Sequence, residues 1–408
     1  MQMVDRSTNS TSSVGSARFS GFSTGSPRVS VCLPNLNNRP FLEERLATIF
    51  DQTFNDWELV IFDNYSEDGA WELFQEAASS DSRLRLARAA REGMYANWNN
   101  CVRASRGEFV YIATSDDTMA DDCLEKLAAA LDAHPECDIA HCNLRMFDSN
   151  GRESSCQWWL RGSLFAASSG QLVHQRHIRR APFDGLLHLS GDTVYTSITQ
   201  LLIRRSLFDR IGMFDNRWGS LGDFHWNMRA GLVANTIHVP CTWGGWRQHA
   251  GQATAAARFG SCQHLERIDA MVADALHSVR NCVDPVVYHH LMRCWAPRMH
   301  KMRHIDLELR LAPDAVRRRV ALSKHLAQGS WFAWWRLCNR LADGPDFSRS
   351  QPNLMQTWLR RAGLGEALIP VTAGDAAGGA FPADDVCSEK GAGSAQHDRQ
   401  SDSNGFQR

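Results

Sequence analysis

The sequence predicts an α/β protein built on a doubly wound, mostly parallel sheet, and three observations carry that reading. Between residues 28 and 148, four continuously apolar runs stand apart: VSVCL (29–33), ELVIF (58–62), EFVYIA (108–113) and IAHCNL (139–144). Runs without alternation suit strands buried on both faces, whereas a sheet wetted on one side alternates apolar and polar residues. The stretches between them show helical spacing, and repeated strand, helix, strand units imply parallel strands joined by crossovers. Finally, 408 residues with 43% hydrophobic and 22% charged side chains can bury a large core, which excludes global disorder.

Each element has its own signal. Pro40 stands where a first helical turn needs no N–H, and Leu42, Leu46, Ile49 and Phe50 then form one apolar face. After the second run, Ser66 is placed to cap a helix running through Leu73 and Phe74. Residues 94–104 and 121–134 supply two more helices, the last ended by Pro135. Residues 149–255 are loopier and Trp-rich, with one further strand at TQLLIRR (199–205), and from 256 to 365 the pattern turns helical. At the ends, residues 1–27 contain eight serines and almost no large apolar side chain, reading as a disordered leader, and 366–408 reads as a disordered acidic tail.

Charge narrows the partners. Lys and Arg number 44 against 45 Asp and Glu, a net charge of -1, so no whole-chain cationic field exists to hold nucleic acid and none is expected as partner. The neutrality is a cancellation: 256–365 carries 17 bases against nine acids, 366–408 three against seven. Within the basic extension, WFAWWRLCNRL (331–341) suits either an anionic bilayer surface or a helix buried against the main domain. HQRHIRR (174–180) reads as a solvated loop in preference to a phosphate site. His300 and His304 have helical i, i+4 spacing, but HKMRH lacks the glutamate of an HExxH motif, so they read as structural or exposed. No window approaches the ~18 apolar residues of a membrane span, and no signal-peptide core is present. The 12 cysteines contain no CxxC pair and read as reduced thiols. Together these place the chain in the cytoplasm, with peripheral inner-membrane contact through 256–365 as an expectation.

Open α/β sheets bind ligands at the carboxyl ends of their strands. There the chain has PNLNN (34–38) and DNYSEDG (63–69), small polar groups able to hydrogen-bond a base and ribose, although they are ordinary turn formers too. EFVYIA runs into TSDDT (114–118), where Asp116 and Asp117 repel each other on a rigid strand end. A divalent Mn or Mg ion with oxygen ligands offsets that cost, and a metal-bound diphosphate is the guest it suits.

The ordered segments VSVCLPNLNNRPFL, ELVIFDNYSEDG, REGMYANWNN and RGEFVYIATSDD resemble the motifs of inverting family 2 glycosyltransferases with the GT-A fold. The resemblance spans about 29–255 and implies a glycosyltransferase domain over 28–255, with a nucleotide-sugar-binding half (28–148) and an acceptor-binding half (149–255). It implies that Pro34, Asn35 and Asp63 meet the nucleotide, that Asn97 lies near the ribose or diphosphate, and that Asp116 and Asp117 form the metal-binding motif. Two positions depart from the pattern: Thr114 stands where the first acid of the motif is common, and Asn64 where a second acid often follows Asp63. Downstream, GMFDNRWGSLGDFHWNMRAG (212–231) resembles the segment holding an acid pair before a helix. Gly222 takes the first place and Asp223 the second, which makes Asp223 the general base, with a helix N-cap as its other reading. In WRQHAGQAT (246–254), Arg247 is expected on the diphosphate and His249 on the metal or leaving group.

The expected function is therefore metal-dependent, inverting transfer of a sugar from a nucleotide-diphospho-sugar to a hydroxyl of a glycan or lipid-linked acceptor. Four Lys against 40 Arg hints at a GC-rich bacterial genome, and so at bacterial polysaccharide biosynthesis. Thr114 and Gly222 prompt the alternative, a glycosyltransferase-like nucleotide-sugar-binding protein impaired in turnover.

Overall fold

A computed structural model describes residues 26–154, 170–189, 191, 193–252, 261–328 and 368–371. Among these residues ten strands form one sheet: β1 (Val29–Asn35), β2 (Trp57–Asp63), β3 (Leu84–Arg88), β4 (Phe109–Ile112), β5 (Thr118–Met119), β6 (Ile139–Phe147), β7 (His177–Arg179), β8 (Leu201–Arg204), β9 (Thr236–Arg247) and β10 (Leu368–Pro370). Their order is β10-β7-β9-β6-β8-β4-β1-β2-β3, with β5 paired to β9. β1 runs parallel to β2 and β4, β2 to β3, and β6 to β9. β8 lies antiparallel between β4 and β6. The sheet is thus mixed but mostly parallel around β1, as the sequence predicts. β8 could not be oriented from its sequence, because a central strand is apolar on both faces whichever way it runs.

The helices α1 (Arg39–Phe50), α2 (Ala70–Ser80), α3 (Met94–Ala104), α4 (Cys123–Ala133), α5 (Phe183–Leu189), α6 (Arg205–Ile211) and α7 (Gly222–Val233) cover both faces. Successive residues of β1 point to opposite sides, so Val31 and Leu33 join one core with Leu42, Phe74 and Leu124, while Cys32 joins another with Trp98, Phe183 and Trp226. That second core continues into α8 (Cys262–Ser278) and, beyond α9 (Pro285–His290), into α10 (Ala296–Leu311), through Met271, Trp295 and Met299. α11 (Ala315–Ala327) follows. The helical extension therefore shares a core with the sheet. Its sequence boundary marks a change of surface charge and says nothing about where the apolar faces go.

Four points of the sequence reading are corrected. β3 passes unnoticed in the sequence because LRLAR interleaves arginines with its leucines. Ser66 is no helix cap: α2 starts at Ala70 behind Gly69, whose φ of 85° needs a residue without Cβ strain. Leu368–Pro370, assigned to the disordered tail, pairs antiparallel with β7. A three-residue apolar stretch is invisible in the average of a polar tail, yet it suffices for an edge strand, where proline needs no ladder partner. The HQRHIRR run is likewise no solvated loop, for His177, Ile178 and Arg179 are buried in β7. The leader up to residue 25, WFAWWRLCNRL and the rest of the tail lie outside the described residues. Cys32, Cys101, Cys123, Cys137 and Cys142 are buried free thiols, and no helix among the described residues is long and apolar enough to cross a membrane.

Candidate active site

The carboxyl ends of β1 and β2 meet in one hydrogen-bonded knot. Asn35 Nδ2 donates to Asp63 Oδ1 and to Ser66 Oγ, both at 3.0 Å. The Ser66 amide donates to Asp63 Oδ2 at 2.9 Å, and its hydroxyl donates to Oδ1 at 2.5 Å. Ser66 thus closes the turn that aims Asp63, while Pro34 lies beside Phe62 in the parallel register. Asn64, in place of an acid, donates its amide to the carbonyls of Ala89 and Ala90, each at 3.0 Å. A carboxylate has no hydrogen to offer there, which accounts for the departure. Asn97 is buried on α3 and donates to the Phe62 carbonyl at 2.9 Å. It clamps the strand ends from behind.

A second group forms where β4 ends and β9 returns. Asn38 Nδ2 donates to Ser115 Oγ at 2.7 Å, tying the loop after β1 to the acidic loop after β4. β5 can lie against β9 because Gly245 stands opposite Thr118, whose Oγ1 would be 2.2 Å from an added Cβ. This places Asp116 Oδ2 3.0 Å from His249 Nε2, which donates to it, with the Phe41 ring tilted against the imidazole, centroids 4.7 Å apart. Asp117 lies behind them, buried. Its Oδ1 accepts from the Arg247 amide at 2.9 Å, and Thr114 Oγ1 donates to its Oδ2 at 2.5 Å. Thr114 therefore supplies a donor where a third carboxylate would add repulsion. Burial, then the Asp116 charge, pushes the Asp117 carboxyl up to about 8, against the pull of Thr114, the Arg247 amide and the buried Arg45.

Arg247 was expected on the diphosphate. Its Nε donates to the Asp116 carbonyl at 3.0 Å and its Nη2 to Glu44 Oε2 at 2.5 Å, with the side chain almost wholly buried. It braces the acidic loop against α1. Nothing in the sequence spacing indicates that Glu44 would reach this arginine across 203 positions.

The third group centres on Asp223 in the first turn of α7. Its Oδ1 accepts from Tyr95 Oη at 2.9 Å and from the Phe224 amide at 2.7 Å. Burial raises its pKa, and these two hydrogen bonds oppose the rise. Gly222 also has its reason: an added Cβ would stand 2.5 Å from the Tyr95 ring. The tyrosine occupies the space of a first acid. Sequence reasoning missed Tyr95, although it lies inside REGMYANWNN, two positions before Asn97 on the same helix.

The donor set fits a divalent metal. Asp116 and His249 converge at the rim with side chains 22% and 11% exposed, so a carboxylate and an imidazole are offered together. Mg and Mn sites commonly use few protein ligands, completing their shell with water and substrate phosphates. Asp117, with both oxygens engaged inside, supports Asp116 from behind.

The model for the family "Glycosyl transferase family 2" matches residues 30–212. The chain is 26% identical over 126 residues to the uncharacterized glycosyltransferase EpsJ of Bacillus subtilis, covering 31% of this chain and 36% of that one. It is 27% identical over 219 residues to a PGL/p-HBAD biosynthesis glycosyltransferase of Mycobacterium tuberculosis, covering 52% and 75%. The mannosyltransferase PcManGT of Pyrobaculum calidifontis, solved with GDP-Man and Mn2+, is 21% identical with a TM-score of 0.44, over 84% of this chain and 87% of that one. The match to EpsJ thus spans little more than a third of that relative's length. Residues 30–212, which carry the nucleotide-side knot and the Asp116–Asp117 loop, are a glycosyl transferase family 2 domain.

Proposed function

We propose that this protein transfers a sugar from a nucleotide-diphospho-sugar to an acceptor hydroxyl with inversion, in the making of a bacterial polysaccharide or glycoconjugate. Asp223 carries the proposal: a carboxylate positioned by Tyr95 at 2.9 Å and made more basic by burial is what a weakly nucleophilic hydroxyl requires. The acceptor oxygen bonds to the anomeric carbon as the bond from that carbon to the diphosphate oxygen breaks. Asp223 takes the hydroxyl proton, and the diphosphate leaves with the electron pair. One displacement from the face opposite the nucleotide inverts the centre.

The knot of Asn35, Asp63 and Ser66 faces the nucleotide beside Pro34, and Asn97 keeps its strand ends together. Asp116 and His249 hold a divalent Mn or Mg ion, with Asp117 and Arg247 fixing their loop. When bound, such an ion offsets the charge gathering on the leaving diphosphate. Because Thr114 and Gly222 each have a structural role, neither favours the impaired-relative reading.

Thermal melts of the full chain against a panel of nucleotide sugars test the donor assignment. At about 100 times Kd, a bound donor adds ~2.7 kcal/mol of stability. Stabilisation by at least one nucleotide sugar that requires Mn, and that Asp116→Asn removes, is expected; a flat response of the wild type across the panel would sink the reading.

A lipid-linked acceptor would bring the protein to a membrane. The proposed contact is α11, where Val316 and Val320 are 69% and 64% exposed beside Arg317, Arg318 and Arg319. Cosedimentation with anionic vesicles, lost in high salt, is expected, since each basic residue near such a surface contributes about 1 kcal/mol. Absence of binding at low salt would refute the contact.

A further inference from the structure

Away from the proposed active site, α8 and α10 bring together three side chains that share no motif. His300 and His304 lie one turn apart on α10, their ring centroids 4.2 Å apart. Asp269 faces both from α8. Its Oδ2 is 2.8 Å from His300 Nδ1 and 3.2 Å from His304 Nε2, and one ligand atom from each residue lies within 4.8 Å of the others. Its Oδ1 is held separately: Arg303, nearly buried, donates to it through Nε at 3.0 Å and through Nη2, and donates Nη1 to the Leu189 carbonyl. The carboxylate is thereby oriented with one oxygen turned to the two imidazoles.

We propose that Asp269, His300 and His304 form a second metal site, for a zinc-class transition-metal dication. Two imidazoles and one carboxylate oxygen suit Zn2+, Co2+ or Ni2+, whereas Mg2+ and Ca2+ prefer all-oxygen sets. A tetrahedral ion with bonds of about 2.0–2.1 Å holds its ligand atoms roughly 3.3 Å apart, close to the 2.8 and 3.2 Å that now separate the Asp269 oxygen from the two imidazole nitrogens. His300 and His304 are 55% and 48% exposed, which leaves a fourth position to water and an open path for entry. Each imidazole ligates through the nitrogen that now faces Asp269 and keeps its proton on the other, toward solvent. Arg303 sets the orientation of Asp269 while its charge moderates affinity. The bound ion ties α10 to α8, pinning the C-terminal helices to the core they share with the sheet.

The test uses the untagged full chain, stripped with chelator. One equivalent of Zn2+ is expected to bind at micromolar concentration and raise the Tm, and Co2+ to give the intense visible bands of a tetrahedral site. His300→Ala and His304→Ala, both at exposed positions, should each weaken Zn2+ binding at least tenfold. Asp116→Asn should leave it unchanged, which separates this site from the proposed donor site. Absence of Zn2+ and Co2+ binding, or binding that survives both histidine variants or is lost with Asp116→Asn, would overturn the proposal.

Discussion

Asp223→Asn is expected to lower kcat for sugar transfer by about 100- to 10,000-fold while leaving donor-induced stabilisation in place. Asparagine preserves shape and still accepts from Tyr95, but it cannot take a proton. Both observed hydrogen bonds fall on Oδ1, leaving Oδ2 for the acceptor hydroxyl. Because burial raises the Asp223 pKa above 3.8, the base is stronger than an exposed aspartate, and the rate climbs with pH through that raised pKa as the carboxylate ionises. Tyr95 stabilises the ionised form, so Tyr95→Phe should move this rising limb to higher pH. A hydrogen bond to a charged group is worth about 1.5–3 kcal/mol, a displacement of about 1–2 pH units. A kcat for Asp223→Asn within about tenfold of wild type would end the base assignment, since general-base effects start near 100-fold.

Arg179→Met should destabilise the protein by about 3–5 kcal/mol, the usual cost of stranding one member of a buried ion pair. Arg179 and Asp184 are buried, with Nε 2.7 Å from Oδ1, and Tyr195 Oη donates to Asp184 Oδ2 at 2.8 Å. Arg179→Met combined with Asp184→Leu should recover part of the loss, because no charge is then left alone. Three buried histidines surround the pair. His141 and His238 approach within 3.1 Å through Nδ1, and His177 Nε2 lies 3.4 Å from Arg179. Burial, then Arg179, pulls His177 down to about 3; burial first, with Arg179 and neighbouring imidazoles adding to it, holds His141 and His238 well below 6.5. The unfolded chain protonates these histidines near pH 6.5 and the folded one does not. Stability is therefore full above that pH and falls as pH drops toward the depressed folded values, by up to about 1.4 kcal/mol per pH unit for each histidine. Urea melts between pH 7.5 and 5.5 should show it; a midpoint constant across that range would refute the account.

Side-chain classes made much of this protein legible. Continuous apolar runs located β1, β2, β4 and β6, and the acids of DNYSEDG and TSDDT were found at strand ends because polar side chains there are conspicuous against buried runs. Spacing could not say which acid turns outward. Asp117 is engaged on both oxygens by Thr114 and the Arg247 amide, whereas Asp116 meets His249, and the difference comes from how β9 returns beside β5. HQRHIRR misled because charge was read as solvation. A buried cation is admissible once Asp184, five positions on, is folded against it.

The sequence by itself determined the α/β class, the parallel strand core and the residues at its carboxyl ends, since burial on two faces and turn chemistry are local properties written in residue order. Only the tertiary structure decided the reversed β8, the brace of Arg247 on Glu44, Tyr95 on Asp223, and the meeting of Asp269 with His300 and His304. Each joins segments far apart in the chain, and hydrogen bonds and metal ligands act over about 2–3 Å, a proximity that residue identity leaves open until the chain has packed.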